Sequence, residues 1–324
     1  MAARSSLEDK LAEVKRLRQQ GNSPQALAGL RQALGSRVSL VVAKAAEVAG
    51  DLGSESLTDA LEPAFDRFMA NPARDDKGCQ AKSAVAEALY KTGAASADVF
   101  LRGIRHVQME PSFGPPIDTA ANLRGLCALG LARMAHPQTM NELARLLADR
   151  EVEARIMAAR AIAYCGDGRG EPLLRHKVHC GDAEPQVVSE CFLALLRLTP
   201  DGSLGFVSSY LDSSDPEMVE AAAVALGESR IAKALPPLQA AYARTMDAAI
   251  RRALLFAIAA LRCDQAVEFL LGELAAASGK TAESALAALV ILRNDPAIRR
   301  RVAEIVDQRT DRQLSRAFRT SFGS

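Results

Sequence analysis

Two stretches of the chain gather residue types able to do chemistry. The first is His176-x-x-His179-Cys180, with Cys165 before it and Cys191 after it. On a helix, His176, His179 and Cys180 share one face, and imidazole and thiolate both suit zinc. No Cys-x-x-Cys pair accompanies them, and the flanking cysteines fall on other predicted helices. The spacing therefore predicts no metal, only ordinary buried thiols and a histidine pair near a helix end. In the second stretch, Arg102, Arg105 and His106 precede a long connecting segment, Glu110 lies within it, and Asp118 and Arg124 follow it. Such a set can hold an anion or exchange protons. It can equally be a group of salt bridges that anchors the segment. Phe113, flanked by Ser112 and Gly114, belongs to no helical core stripe and joins these residues as a candidate binding group.

Motifs that would define an enzyme are missing. The sequence has no phosphate-binding or dinucleotide-binding glycine pattern and no Gly-x-Ser-x-Gly elbow. No catalytic residue and no cofactor are expected.

The elements that must position these residues follow from composition and period. Apolar residues make up 49% of the 324, aromatic residues 4%, and there is no Trp. A core of Ala, Leu, Val and Ile suits closely packed helices rather than a β-sandwich. The net charge is +1, without the basic excess usual for nucleic-acid binders. No apolar run approaches the roughly 18 residues of a membrane span. Met1 to Gln20 reads as a charged amphipathic helix without the apolar segment of a signal peptide. The six cysteines show no paired spacing and are expected to be reduced, in a cytoplasmic monomer.

Residues that open successive units are Ser54, Ala94, Pro137, Arg169, Gly202, Ile231, Asp264 and Pro296, at steps of 40, 43, 32, 33, 29, 33 and 32. A period near 32 accommodates two helices of about 12 residues and two short turns. The clearest unit starts at Asp215-Pro216, where the acid caps and the proline takes the first helical position. Val219, Ala222, Ala223 and Leu226 then form one face, with Gly227 near the end, and Leu235-Pro236-Pro237 opens the next unit. Val152, Ile156, Ala159 and Ala163 repeat the stripe, as do Ile250, Leu254, Ala257 and Leu261; Ser23-Pro24 and Asp295-Pro296 repeat the start.

The unit Asp215 to Leu238 resembles the short HEAT-like repeat of bacterial repeat proteins and phycobilisome bilin lyases, which reads acid-Pro, Val-Arg, Ala-x-x-Ala-Leu-Gly and then a Pro-containing helix. The likeness extends over roughly Ser23 to Asp307. It implies an all-α fold: an alpha-alpha superhelix (HEAT-like solenoid) of about eight antiparallel helix pairs, one array over 1–324. An N-terminal capping helix would fill 1–22, repeats 23–295, and basic C-terminal capping helices 296–324. Glu220 stands where the family often has Arg, while Ile250-Arg251 keeps the usual pair. HEAT-type hydroxylases use His-Glu iron ligands, and no His here precedes Glu; HEAT-like DNA glycosylases use Trp in a basic channel, and this chain has none.

At the N-terminus, Ser5 and Glu8 are spaced as a capping box. From Arg293 onward eight arginines face four acids, and this end reads either as a solvated cap or as a docking patch. The two long steps place insertions at 71–78 and 109–118, between the helices of two adjacent pairs. Equivalent turns of adjacent repeats align, so the two loops should lie side by side and form a binding edge. The expected function is a non-enzymatic scaffold for a protein or peptide, using the concave face and this edge. The resemblance implies an alternative, a bilin-lyase-like or chromophore-handling factor. A third possibility, nucleic-acid binding through the C-terminal arginines, has the overall charge against it.

Overall fold

The computed structural model of the chain describes residues 6–309 and 311–323. It is built almost wholly of helices and groups into two compact units, Met1–Asp167 and Gly168–Ser324. The first unit opens with α1 (Leu7–Gln19), followed by α2 (Pro24–Leu34) and α3 (Ser39–Asp51). Next come α4 (Thr58–Ala70), a single turn α5 (Pro72–Asp75) and α6 (Gln80–Thr92). It closes with α7 (Ala97–Gly103), α8 (Ala121–Arg133), α9 (Thr139–Leu146) and α10 (Val152–Cys165).

The second unit repeats the helix pair five times: α11 (Gly170–Cys180) with α12 (Pro185–Leu198), α13 (Pro200–Ser209) with α14 (Pro216–Ser229), α15 (Leu235–Arg244) with α16 (Ala248–Leu261), α17 (Asp264–Ala276) with α18 (Lys280–Leu289), and α19 (Pro296–Gln308) with α20 (Arg312–Phe322). In both units the second helices stack on one another, α3 on α6, α8 and α10, and α12 on α14, α16, α18 and α20. The all-α reading from the 32-residue period therefore holds. Among the described residues, no helix is long and apolar enough to cross a membrane.

Helix starts follow the cap-plus-proline signals. Ser23 Oγ accepts from Ala26 N–H at 3.2 Å, and Asp215 Oδ1 accepts from Glu217 N–H at 3.0 Å. Asp247 and Asp295 cap α16 and α19 in the same way. The capping box of α1 is shifted by one residue from its expected place: Ser6 and Asp9 form it, and Ser5 lies outside the described residues. The last helix begins at Arg312, with Asp311 as its cap; Leu314 and Phe322 bury its inner face.

A second helix packs against neighbours on either side as well as its own partner, so it buries more than one narrow stripe. On α14, Ala221 and Ala225 are buried along with the expected Val219, Ala222, Ala223 and Leu226. On α10, Val152 and Ile156 stay half-exposed while Ala154, Ala158, Ala161 and Ile162 fill the core.

An arginine device recurs in both units. Four residues past the N-cap of α8, α10 and α16 stand Arg124, Arg155 and Arg251. Each reaches back to carbonyls between the end of the preceding helix and its own: Arg124 to His106 O, Arg155 to Asp149 O and Arg150 O, and Arg251 to Tyr242 O, in the last turn of α15, and Thr245 O. A charged donor thus satisfies acceptors that the turn leaves without helical partners. Counted from Asp215, the same position in α14 is Val219, not Glu220, so Glu220 does not replace the ladder arginine. It sits one residue further on, exposed.

Candidate functional site

The segments 71–78 and 109–118 do join the helices of adjacent pairs, and they touch. Neither is an open loop. Residues Pro72–Asp75 form the turn α5, and the chain then passes through Gly78 (φ 70°) and Cys79 (φ 53°) into α6. This left-handed passage brings the Asp76 carboxylate over the start of α6. There Asp76 Oδ1 accepts from Ala81 N–H at 2.8 Å, and Oδ2 accepts from Lys82 N–H at 3.1 Å. The Lys82 ammonium also donates to Asp76 Oδ2 at 2.9 Å, and both side chains are fully buried. A buried pair of this kind holds only because backbone groups complete its hydrogen bonding; Lys82 Nζ donates to Phe68 O as well, at 3.4 Å.

The second segment is a short β-hairpin within the otherwise helical chain. Strands β1 (Met109–Glu110) and β2 (Ile117–Asp118) pair antiparallel, Met109 with Asp118 and Glu110 with Ile117. Its base is a polar network. Buried Gln108 donates from Nε2 to Asp76 O at 2.8 Å and to Glu110 Oε1 at 2.6 Å. The same Glu110 oxygen accepts from Gly78 N–H at 2.7 Å and from Thr119 Oγ1 at 2.8 Å. Asp118 Oδ1 accepts from the amides of Gln108 and Ala120, and its Oδ2 accepts from Arg124 Nη1 at 2.7 Å. Arg124, itself buried, donates to Asp149 Oδ1 at 2.8 Å in the turn before α10.

The electrostatics follow from these bonds. Burial raises the pKa of the Glu110 and Asp118 carboxyls, but their hydrogen bonds outweigh it and hold both below the usual carboxylate range. Burial pushes His106 down, the bond to Gln108 works against that, and the cations Lys82 and Arg124 add to the lowering. His106 is therefore neutral near pH 7.

The candidate residues separate into three places. His106, Glu110, Asp118 and Arg124 meet in the network at the hairpin base. Arg105 lies beside it and pairs with Glu142, which is buried in α9. Arg102 stands apart on the exposed side of α7, with Asp98 and Asp66 as partners. Phe113 is at the hairpin tip and fully exposed at 115% relative accessibility. Val107, Met109 and Ile117 are exposed on the same hairpin, and residues 111–117 carry no charge. Sequence reasoning missed Asp76, Lys82, Gln108, Thr119 and Asp149. The one local signal was a lysine in the first turn of an Ala-rich helix.

Chemically, the carboxylates and Arg124 direct their polar atoms at backbone groups and at one another, which is the work of a brace. The His/Cys stretch is likewise dispersed. His176 Nε2 lies 3.5 Å from Cys180 Sγ, while His179 turns to the Phe206 ring and to Tyr210 Oη. Among the described residues, no three His, Cys, Asp or Glu side chains gather as a metal site requires. Cys79, Cys127 and Cys191 are buried as expected, but Cys180 is exposed. Burial raises the Cys79 thiol to about 11 and Cys191 to about 12, so both stay protonated.

No protein-family model and no curated protein matches the chain. Solved structures similar to it include the complex of CpcE and CpcF of phycocyanin lyase from Nostoc, at 16% identity and a TM-score of 0.38, over 75% of this chain and 94% of that one. Human deoxyhypusine hydroxylase in complex with glycerol is similar at 17% identity and a TM-score of 0.31, over 79% and 91%. An engineered protein is similar at 15% identity and a TM-score of 0.20, over 91% and 94%.

Proposed function

We propose that this protein is a non-enzymatic, protein- or peptide-binding scaffold, and that the hairpin edge of its first unit is a docking surface. One observation carries the reading: an uncharged, proline-containing tip with a fully exposed Phe113 stands on a base of interlocked buried and half-buried polar groups. A solvated aromatic of this kind contributes nothing to the core. An exposed apolar cluster on a soluble surface is characteristic of an interaction site, and an aromatic on a rigid support is the usual anchor of an interface. Pro111, Pro115 and Pro116 restrict the tip before binding, which lowers the entropy lost on docking. The projection is convex, so the partner would offer a concave apolar pocket. Binding by a monomer through surface complementarity needs no cofactor.

Site-specific photocrosslinking tests this. A benzophenone amino acid in place of Phe113 should give one discrete protein adduct in extract from the native host. The same group in place of Met246, exposed in the second unit, should not give that adduct. Identical adduct patterns from the two positions would overturn the reading.

A further inference from the structure

The outer faces of α14 and α16 form a second surface, wholly within the second unit. Where the helices meet, a Cβ on Gly227 would lie 2.5 Å from Ala257 O and 2.8 Å from Ala257 Cα. This close approach, possible only for glycine, locks the pair together. Beside it runs a groove of about 580 Å³ floored by Val224, Ala253, Phe256, Ala260 and Ile291. Val224 is 42% exposed and Ile291 37%, so the floor is open to solvent.

The two walls differ in charge. On α14, Glu220 and Glu228 flank Val224 one helical turn to either side, both exposed. Neither has an ion-pair partner among the described residues, and α14 contains no Lys or Arg. On α16 the Arg252 guanidinium lies over the Phe256 ring, 5.6 Å from its centroid. The α14 wall is therefore acidic, and the α16 wall is aromatic and carries one cation, Arg252, beside the Phe256 ring.

We infer that this groove docks an amphipathic helix of a partner protein. The apolar face of that helix lies on Val224 and Phe256, and one edge carries Lys or Arg toward Glu220 and Glu228. Spacing makes the motif specific. Glu220 and Glu228 are eight residues apart on one helix, which is roughly 12 Å at 1.5 Å per residue. The partner accordingly places two cations about two turns apart on one edge, bracketing a Leu- or Met-sized side chain, in the helix-in-groove mode. Each charge pair adds modestly and chiefly fixes register and sign, while the apolar floor supplies most of the affinity. This surface is independent of the hairpin, and either can fail without the other.

The probe is a fluorescein-labelled Ala/Leu helix with lysines eight positions apart around a central Leu, read by anisotropy on the full chain at low salt. Its comparator has glutamates in place of those lysines. The lysine peptide should bind on the order of tenfold tighter than the comparator. Val224→Glu should abolish binding, and E220K/E228K should invert the preference; all of these positions are exposed, and circular dichroism checks that each variant is folded. Three results would overturn the inference: no binding of the lysine peptide to the folded wild type, a lysine preference that survives E220K/E228K, or loss of binding on Phe113→Ala but not on Val224→Glu.

Discussion

The amide of Gly78 donates to Glu110 Oε1 at 2.7 Å, joining two inter-helix segments whose linked residues lie 32 positions apart. Beside it, Gln108 Nε2 reaches Asp76 O at 2.8 Å. The two insertions are thereby one structure. The first segment is held by Asp76 and Lys82, and it in turn supports the base of the hairpin. The base of the hairpin is thus held by polar groups that are buried (Asp76, Lys82, Gln108, Arg124) or half-buried (Glu110, Asp118, Thr119).

The buried pair should dominate the stability of this region. Lys82→Met removes the ammonium and leaves Asp76 buried with only its amide partners, at a cost of about 3–5 kcal/mol. Adding Asp76→Asn should recover part of that loss, because an amide costs less to bury than an uncompensated charge. Urea unfolding of both variants measures this. A Lys82→Met loss below about 1 kcal/mol would mean that the pair is not holding the segment.

Stability should fall in two stages with acid. His106 has a folded pKa below its ordinary 6.5, so the unfolded chain binds the proton more readily and stability declines as pH drops from about that value. Glu110 and Asp118 have folded pKa values below 4.5 and 3.8, so their contribution is complete above those values and is lost as pH falls through the lower folded ones. Urea midpoints from pH 7.5 to 3 should show a shallow decline that His106→Gln removes and a steeper one that Asp118→Asn reduces. A profile that His106→Gln leaves unchanged would contradict the burial of His106 beside Lys82 and Arg124.

Two glycines in second-unit helices should respond oppositely to alanine. Gly227→Ala forces a methyl onto the Ala257 backbone, which cannot yield as a side-chain tip would, and overpacking of this kind costs about 1–3 kcal/mol. Gly272, within α17, has nothing within 4 Å of the added Cβ, so Gly272→Ala should stabilise by about 0.5–1 kcal/mol. Equal effects in chemical denaturation would mean that α14 and α16 are not locked at Gly227.

Much of this architecture was legible because it is local and periodic. Asp215-Pro216 marks a helix start by capping chemistry alone, and the face Val219, Ala222, Ala223 and Leu226 follows from 3.6 residues per turn. The two insertions were visible as extra length. The hairpin was not, since each strand is two residues long and Pro115-Pro116 hides its return. Lys82 reads as a surface residue until the left-handed passage at Gly78 and Cys79 carries Asp76 over it. The link from Arg124 to Asp149 spans 25 positions and exists only once α8 and α10 are stacked. Residue types located the candidate cluster, but tertiary contacts divided it and detached Arg102.

Phe113 and Glu110 were both expected as binding residues of one loop, and the structure gives them opposite surroundings. Phe113 makes no contribution to the core at 115% accessibility, so Phe113→Ala should change stability by less than about 0.5 kcal/mol. Glu110 accepts from Gly78, Gln108 and Thr119, and Glu110→Ala strands a buried Gln108 amide and frees the two segments from each other. Leaving such a donor without its acceptor costs about 1–3 kcal/mol. Hydrogen exchange locates the effect: the Gly78 amide should lose protection in Glu110→Ala and keep it in Phe113→Ala. If the hairpin is the docking edge, Phe113→Ala weakens the partner adduct without loosening the base, whereas Glu110→Ala weakens it by loosening the base. The reverse pattern, with Phe113→Ala destabilising and Glu110→Ala silent in exchange, would show that the tip packs back on the helices and that the network is not its support.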